Sequence, residues 1–132
     1  MKIILVVHTF LPKYLGGTEV CTFELAQKYT KLGHDVVVFC SDPLSRNSNL
    51  PVIESIYKGI KIYSVPKNIT KYKYFSNTYQ EKKVLKPFLN LLKDFKPDVI
   101  HYHHLMHLSI KMIDEALAHK IPQVLTLHDF WF

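Results

Sequence analysis

The sequence has almost no arginine and very little cysteine. Of its 17 basic residues only Arg46 is an arginine, the side chain that most often reads base edges in DNA, so we expect no nucleic-acid partner. The two cysteines, Cys21 and Cys40, predict small buried side chains rather than a disulfide. No apolar run approaches the ~20 residues that span a bilayer. The run after Met1 is shorter than the ~7–15 residues of a signal-peptide core, and we therefore expect a cytoplasmic protein.

The formal net charge of +6 is concentrated in the middle of the chain. Residues 58–96 contain ten lysines against two acidic residues, Glu81 and Asp94, a local charge of +8, so the remainder carries −2. Five tyrosines lie in or beside this stretch. One interpretation is a solvated lysine face. The other is that residues 57–96 contact an anionic membrane surface or a phosphorylated acceptor, which would hold the protein peripherally at the inner face of the membrane.

The apolar pattern alternates between strands and helices. It predicts strands at 3–7, 35–40, 98–103 and 122–127, and helices at 18–32, 79–95 (with a kink or a restart at Pro87) and 108–119. A hairpin is predicted at 52–57 and 60–65, turned by Lys58 and Gly59. This order predicts one α/β domain over residues 1–132, a Rossmann-like open, mostly parallel sheet with helices on both faces.

A glycine pair, Gly16 and Gly17, separates the first strand from the first helix. Glycine lets the backbone approach a ligand closely, and Thr18 is the expected N-cap of a helix whose free N–H groups would face an anion. A plain tight turn is the alternative. We interpret Glu19 as a first-turn acid that favours the helix dipole, not as a catalytic group.

Histidines occur in all three loops that are predicted to follow parallel strands, at 8–17, 103–107 and 128–131. Because such loops meet at one edge of a sheet, the pattern predicts a single site. The histidines between 101 and 107 also suggest a metal site, but no cysteine or carboxylate follows Asp98 closely enough to complete it, so we expect no metal.

Three spaced motifs resemble glycosyltransferase family 4, and their order covers almost the whole chain. They are His8-x-Phe10-x-Pro12-x4-Gly17-x-Glu19 followed by Gly33-His34-Asp35-Val36, Pro97-Asp98-Val99-Ile100-His101-x-His103, and Pro122-x-Val124-x-Thr126-x-His128-Asp129. The resemblance implies the N-terminal, acceptor-side half of a GT-B fold. It also implies a retaining, hexosyltransferase-like enzyme that uses a nucleotide-sugar donor.

The resemblance also implies roles for individual residues. Gly16 and Gly17 would lie against the donor diphosphate and the acceptor, and His128 would reach the donor sugar near the reacting centre. We further predict that His103 or His104 contacts the acceptor and that Asp129 belongs to the substrate-binding loop. The absence of an Asp-x-Asp motif implies an enzyme that requires no metal or other cofactor.

The family's nucleotide-binding domain has no counterpart in this sequence, and the last predicted strand runs into the aromatic residues 130–132. We therefore expect a truncated domain that is inactive alone, from an enzyme of cell-surface polysaccharide or glycolipid synthesis with a sugar or lipid-linked acceptor. The alternative is a non-catalytic binding or dimerisation module of Rossmann type, which forms a homodimer through its exposed C-terminal face.

Overall fold

A computed structural model describes residues 1–49 and 51–129, and its described strands form one sheet in the order β3-β4-β2-β1-β5-β6. The parallel strands are β1 (Lys2–Val6), β2 (Asp35–Asp42), β4 (Ile60–Pro66), β5 (Val99–Tyr102) and β6 (Gln123–Leu125). Strand β3 (Ile53–Tyr57) runs antiparallel to β4 across the turn at Lys58 and Gly59. The predicted open, mostly parallel sheet is confirmed.

Helices cover both faces of the sheet, because alternate residues of the central strands point to opposite sides. Helix α1 (Gly17–Lys31) buries Phe23 and Ala26 with Ile3 and Leu5 of β1. Helices α2 (Leu85–Phe95) and α3 (Lys111–Ala118) pack against the other face, where the rings of Phe39 and Phe88 lie 5.4 Å apart.

Helix α1 begins one residue earlier than predicted, and its N-cap is Gly16, not Thr18. Its N-cap makes no side-chain hydrogen bond. Both cysteines are free, as predicted, but only Cys40 is buried. The expectation of a buried Cys21 is wrong, because Cys21 lies on the solvent side of α1.

Helix α2 begins at Leu85 and not at Tyr79, because the preceding segment pairs with the loop after β5. The N–H of Ile110 donates to the Tyr79 carbonyl at 3.0 Å, and the N–H of Glu81 donates to the Leu108 carbonyl at 3.1 Å. A backbone committed to another segment cannot complete helical hydrogen bonds. The same pairing delays α3, which begins at Lys111 instead of Leu108.

Of the kink or restart predicted at Pro87, the structure shows the restart, since α2 begins two residues earlier at Leu85. Pro87 is the third residue of the helix, where the N–H that proline lacks has no helical acceptor. The helix therefore loses no hydrogen bond at this position.

Among the residues that the structure describes, no helix is long and apolar enough to cross a membrane. Strand β6 lies at one edge of the described sheet, and its Val124 and Leu125 are 49% and 54% exposed. The predicted homodimer contact also involves the aromatic tail 130–132, which lies outside the described residues.

Candidate functional site

The loops after β1, β5 and β6 meet at one edge of the sheet, where these three parallel strands end. We call this the carboxyl edge. It holds six histidines, here called the histidine cluster: His8, His101, His103, His104, His107 and His128. The register of the sheet positions them, since Val6 pairs with Tyr102 and Tyr102 pairs with Leu125.

The carboxylate of Glu19 ties the start of α1 to the end of β1. Glu19 is 5% exposed, and its Oε1 accepts a hydrogen bond from the Thr9 hydroxyl and lies 3.1 Å from Nε2 of His8. The side chain folds back over Gly16, where a Cβ would lie only 2.5 Å from Glu19 Oε2. Glycine at position 16 therefore leaves room for the carboxylate.

His8 is uncharged at neutral pH. Burial first, and then the neighbouring His104, lower the pKa of His8 to about 4, although Glu19 acts in the opposite direction. Because a carboxylate oxygen only accepts, Nε2–H of His8 donates to Glu19, and Nδ1 carries a lone pair. That Nδ1 atom is buried and has no hydrogen-bond partner within the described ranges.

His103 and His128 form a second pair across β5 and β6. Nδ1 of His103 lies 2.9 Å from Nε2 of His128, so one nitrogen donates and the other accepts. Burial, with His101 and His128 nearby, lowers the pKa of His103 to about 3. One proton lies in the hydrogen bond between the two rings, and Nε2 of His103 is left buried without a partner in the described chain.

His104 connects the Glu19–His8 pair to Asp129 in the loop after β6. Its ring centroid lies 4.5 Å from that of His8, and its Nε2 lies 3.4 Å from Oδ2 of Asp129. His101 supports the other side, with its ring 4.2 Å from His103 and its Nε2 2.7 Å from Oγ1 of Thr126. Side chains from three loops thus form one continuous polar network.

A largely apolar cavity of about 500 Å³ adjoins this network. His103, His104, His128 and Asp129 line its polar end. Its apolar wall consists of Phe75, Tyr79, Leu105, Ile110, Ile113, Leu125 and Leu127. Such a space suits a ligand with a hydroxyl-rich end and an apolar end.

Of the predicted site residues, the structure brings His103, His128 and Asp129 together around the cavity. Gly16 joins them indirectly through Glu19 and His8. Gly17 is the first residue of α1 and faces open space, with nothing within 4 Å of a Cβ built there. In residues 1–49 and 51–129, no group of three or more His, Cys, Asp or Glu side chains is arranged to hold a metal ion.

Glu19 is the site residue that we misjudged from sequence. It does lie in the first turn of α1, as expected, but it is buried and bonded to Thr9 and His8. The available signal was its spacing from Gly16. Three residues after an N-cap is the position from which a glutamate reaches back past the cap.

Comparison with known proteins connects this arrangement to an enzyme family. The sequence model of Glycosyltransferase Family 4 matches residues 15–132. A curated relative, an uncharacterized 42.6 kDa protein in the cps region of Klebsiella pneumoniae, is 26% identical over 99% of this chain and 37% of its own length.

Two solved structures share the fold. Sucrose-phosphate synthase from Thermosynechococcus elongatus superposes with a TM-score of 0.68 at 14% identity, over 97% of this chain and 33% of that one. An E. coli structure described as trehalose-6-phosphate bound with UDP-2-fluoro glucose superposes with a TM-score of 0.53 at 13% identity. The match covers 96% of this chain and 32% of that one. Both neighbours are GT-B proteins, which confirms the predicted N-terminal half of that fold. The chain spans about a third of the length of these relatives.

The two glycines are expected to respond oppositely to alanine. Gly17→Ala should stabilise the chain by about 0.5 kcal/mol, because the space is open and alanine favours a helix. Gly16→Ala should destabilise it by about 1 kcal/mol, because the added Cβ displaces Glu19 from His8 and Thr9. Urea unfolding of both variants measures the difference. Equal effects of the two substitutions would contradict this account of Gly16.

Acidification should weaken the fold between pH 6.5 and pH 5. His8 and His103 have lowered pKa values in the folded chain, so the unfolded chain binds more protons in this range. The free energy of unfolding therefore decreases as the pH is lowered. Each histidine should cost about 2 kcal/mol by pH 5. Urea unfolding at pH 7 and pH 5 measures the loss. His103→Asn should reduce it and His119→Asn, an exposed control, should not, whereas a flat profile would refute the interpretation.

Proposed function

Since the chain belongs to glycosyltransferase family 4, we propose that it is the acceptor-binding half of a retaining, nucleotide-sugar-dependent glycosyltransferase. The observation that carries the proposal is the convergence at the carboxyl edge. The start of α1, the Glu19–His8 pair, the His103–His128 pair and the cavity all meet there. In an open α/β sheet this edge is where ligands bind.

The start of α1 is the proposed contact for the donor diphosphate and for the adjoining part of the acceptor. The first N–H groups of a helix have no helical acceptor and carry a partial positive charge. Gly16 and Gly17 add no side chain that would hold a ligand away from them. Donors fixed in this way stabilise the negative charge that develops on a leaving diphosphate. The proposed enzyme uses no metal or other cofactor.

His128 is the proposed contact to the donor sugar. It is hydrogen-bonded to His103 and lines the polar end of the cavity, where a sugar hydroxyl can replace or extend that hydrogen bond. We assign His103 and Asp129 to the acceptor side of the same space. Glu19 is committed to Thr9 and His8, and its proposed role is to position His8.

The proposed acceptor is a precursor of a cell-surface polysaccharide or glycolipid, bound by a protein that associates peripherally with the inner face of the membrane. The largely apolar wall of the cavity suits an acceptor with an apolar portion. Segment 57–96 contains exposed lysines together with Tyr74 and Phe75, which are each 72% exposed. The similarity to a protein from the cps region of Klebsiella pneumoniae also supports this proposed acceptor class.

Strand β6 favours a second candidate, a non-catalytic module that pairs with a copy of itself. Val124, Leu125 and Leu127 are 49%, 54% and 57% exposed along this edge. Exposed apolar strand edges pair readily with other chains. Light scattering of the chain with and without ligand separates this candidate from the first.

Blocking the start of α1 should abolish ligand binding without unfolding the chain. Gly17→Trp places an indole where a Cβ meets nothing, while Lys28→Trp adds the same group to an exposed site on α1. UDP-glucose, GDP-mannose, octyl glucoside and glucose 6-phosphate are the probes, measured by thermal shift.

Acceptor mimics at ten times their Kd should stabilise the wild type and Lys28→Trp by about 1.4 kcal/mol and Gly17→Trp hardly at all. The chain alone should transfer no sugar from either nucleotide-sugar. If no probe stabilises the wild type and the chain is a stable dimer, the dimerisation module replaces the glycosyltransferase proposal.

Membrane association should depend on both charge and the exposed aromatic pair. Co-sedimentation with phosphatidylglycerol vesicles should exceed that with phosphatidylcholine, because each surface lysine contributes about 1 kcal/mol near an anionic bilayer. Replacing Tyr74 and Phe75 by serine should reduce binding severalfold. Leu44→Ser, an exposed apolar residue outside the segment, serves as the control. Equal binding to both vesicle types would argue for a merely solvated lysine face.

A further inference from the structure

Lys67 is the most unusual side chain outside the site described above. It follows β4 directly and is only 1% exposed, and within the described ranges its Nζ makes no hydrogen bond or ion pair. An ammonium group that is buried without a partner costs free energy, so buried lysines are rare unless an anion or a hydrogen-bond acceptor pairs with them. Burial lowers the pKa of Lys67 to about 7.

The fold holds Lys67 at the carboxyl edge and covers it. Its backbone N–H donates to the Asp42 carbonyl at 2.8 Å, which fixes the end of β4 against β2. The side chain lies close enough to His107 for its charge to lower the pKa of that ring. The segment that pairs with residues 108–110 brings Glu81 near Lys67 without forming an ion pair in the described structure.

Several buried side-chain nitrogens without a hydrogen-bond partner lie at this edge. Six buried side-chain polar atoms lack a hydrogen-bond partner among the described residues, and four of them are nitrogens of Lys67, His8, His103 and His107. Lysine only donates, and a histidine nitrogen donates or accepts according to its tautomer. A group that offers several oxygens and negative charge would satisfy Lys67 and its neighbour His107 together.

We propose that Lys67, with His107 beside it, binds a phosphate group of the acceptor. The inference rests on the proposed function and narrows its substrate class to acceptors that carry a phosphate, as a monoester or within a diphosphate. Phosphate fits because its oxygens point in several directions and so reach donors from different loops. His104 connects the two ends of the site, since it lines the cavity and also lowers the pKa of His107.

The experiment compares Lys67→Met with Lys93→Met, an exposed lysine of the same segment. Calorimetry on the 132-residue chain uses inorganic phosphate, glucose 6-phosphate and geranyl diphosphate, with glucose and geraniol as their phosphate-free counterparts. Lys67→Met should raise the Kd for every phosphate ligand at least tenfold. Lys93→Met should change it less than twofold. Tighter binding of glucose 6-phosphate indicates a free sugar phosphate as the source, and tighter binding of geranyl diphosphate indicates a lipid-linked one.

A measurement on the unmutated chain keeps the test independent of how the variants fold. In a pH titration of the lysine side chains by NMR, inorganic phosphate should raise the pKa of Lys67 from near 7. Equal affinity for ligands with and without phosphate, or an unmoved Lys67 titration, overturns the inference. If phosphate-free octyl glucoside still binds and Gly17→Trp removes that binding, the proposed function survives this failure. If phosphate binds through Lys67 but Gly17→Trp has no effect on octyl glucoside, the phosphate site stands and the function fails.

Discussion

The carboxylate of Glu19 is the interaction on which the site depends, because it joins the first helix to the loop after the first strand. Thr9 and His8 both bond to Glu19, and Gly16 gives the carboxylate room to reach them. Through this bond, the direction of α1 and the tautomer of His8 are determined together. His8 then packs against His104, so the loop after β5 is also held. A single buried carboxylate therefore organises two of the three loops at the carboxyl edge.

Burial governs the protonation of four rings in the histidine cluster. Desolvation is the largest influence on His8, His101, His103 and His107, and in each case it lowers the pKa. Uncharged rings can stack closely without repulsion, and each presents one donor and one acceptor. A cluster of this kind suits sugar hydroxyls, which also donate and accept. It is less suited to general base catalysis at neutral pH, because rings that resist protonation are weak proton acceptors.

The fold was largely predictable because parallel strands and amphipathic helices leave strong local patterns. Apolar runs separated by Gly33 and by the Lys58–Gly59 turn identified β1, β2 and the hairpin correctly. The start of α2 was not predictable, because it depends on hydrogen bonds between residues 78–81 and the distant loop 107–110. Local pattern carries no information about such pairing, which is the kind of tertiary contact that overrides helix propensity.

The same distinction separates the site residues that were predicted from those that were missed. His103, His128 and Asp129 follow strands, so topology alone brought them to one edge. The partners of Glu19 and the burial of Lys67 result from contacts between different secondary-structure elements. Such contacts leave no periodic pattern in the sequence. Lys67 illustrates this most clearly, since in sequence it is one of ten lysines in a basic segment.

Exposed lysines and the buried Lys67 differ in how selectively they can recognise an anion. A solvated lysine such as Lys83 can meet any anion at the surface, and salt screens its contribution. Lys67 lies in a region of low dielectric, where an unpaired charge is costly and pairing with an opposite charge is strongly favourable. A protein gains nothing from burying an amine for general attraction to anions. Burial is useful where one anionic group must be selected by its shape and position.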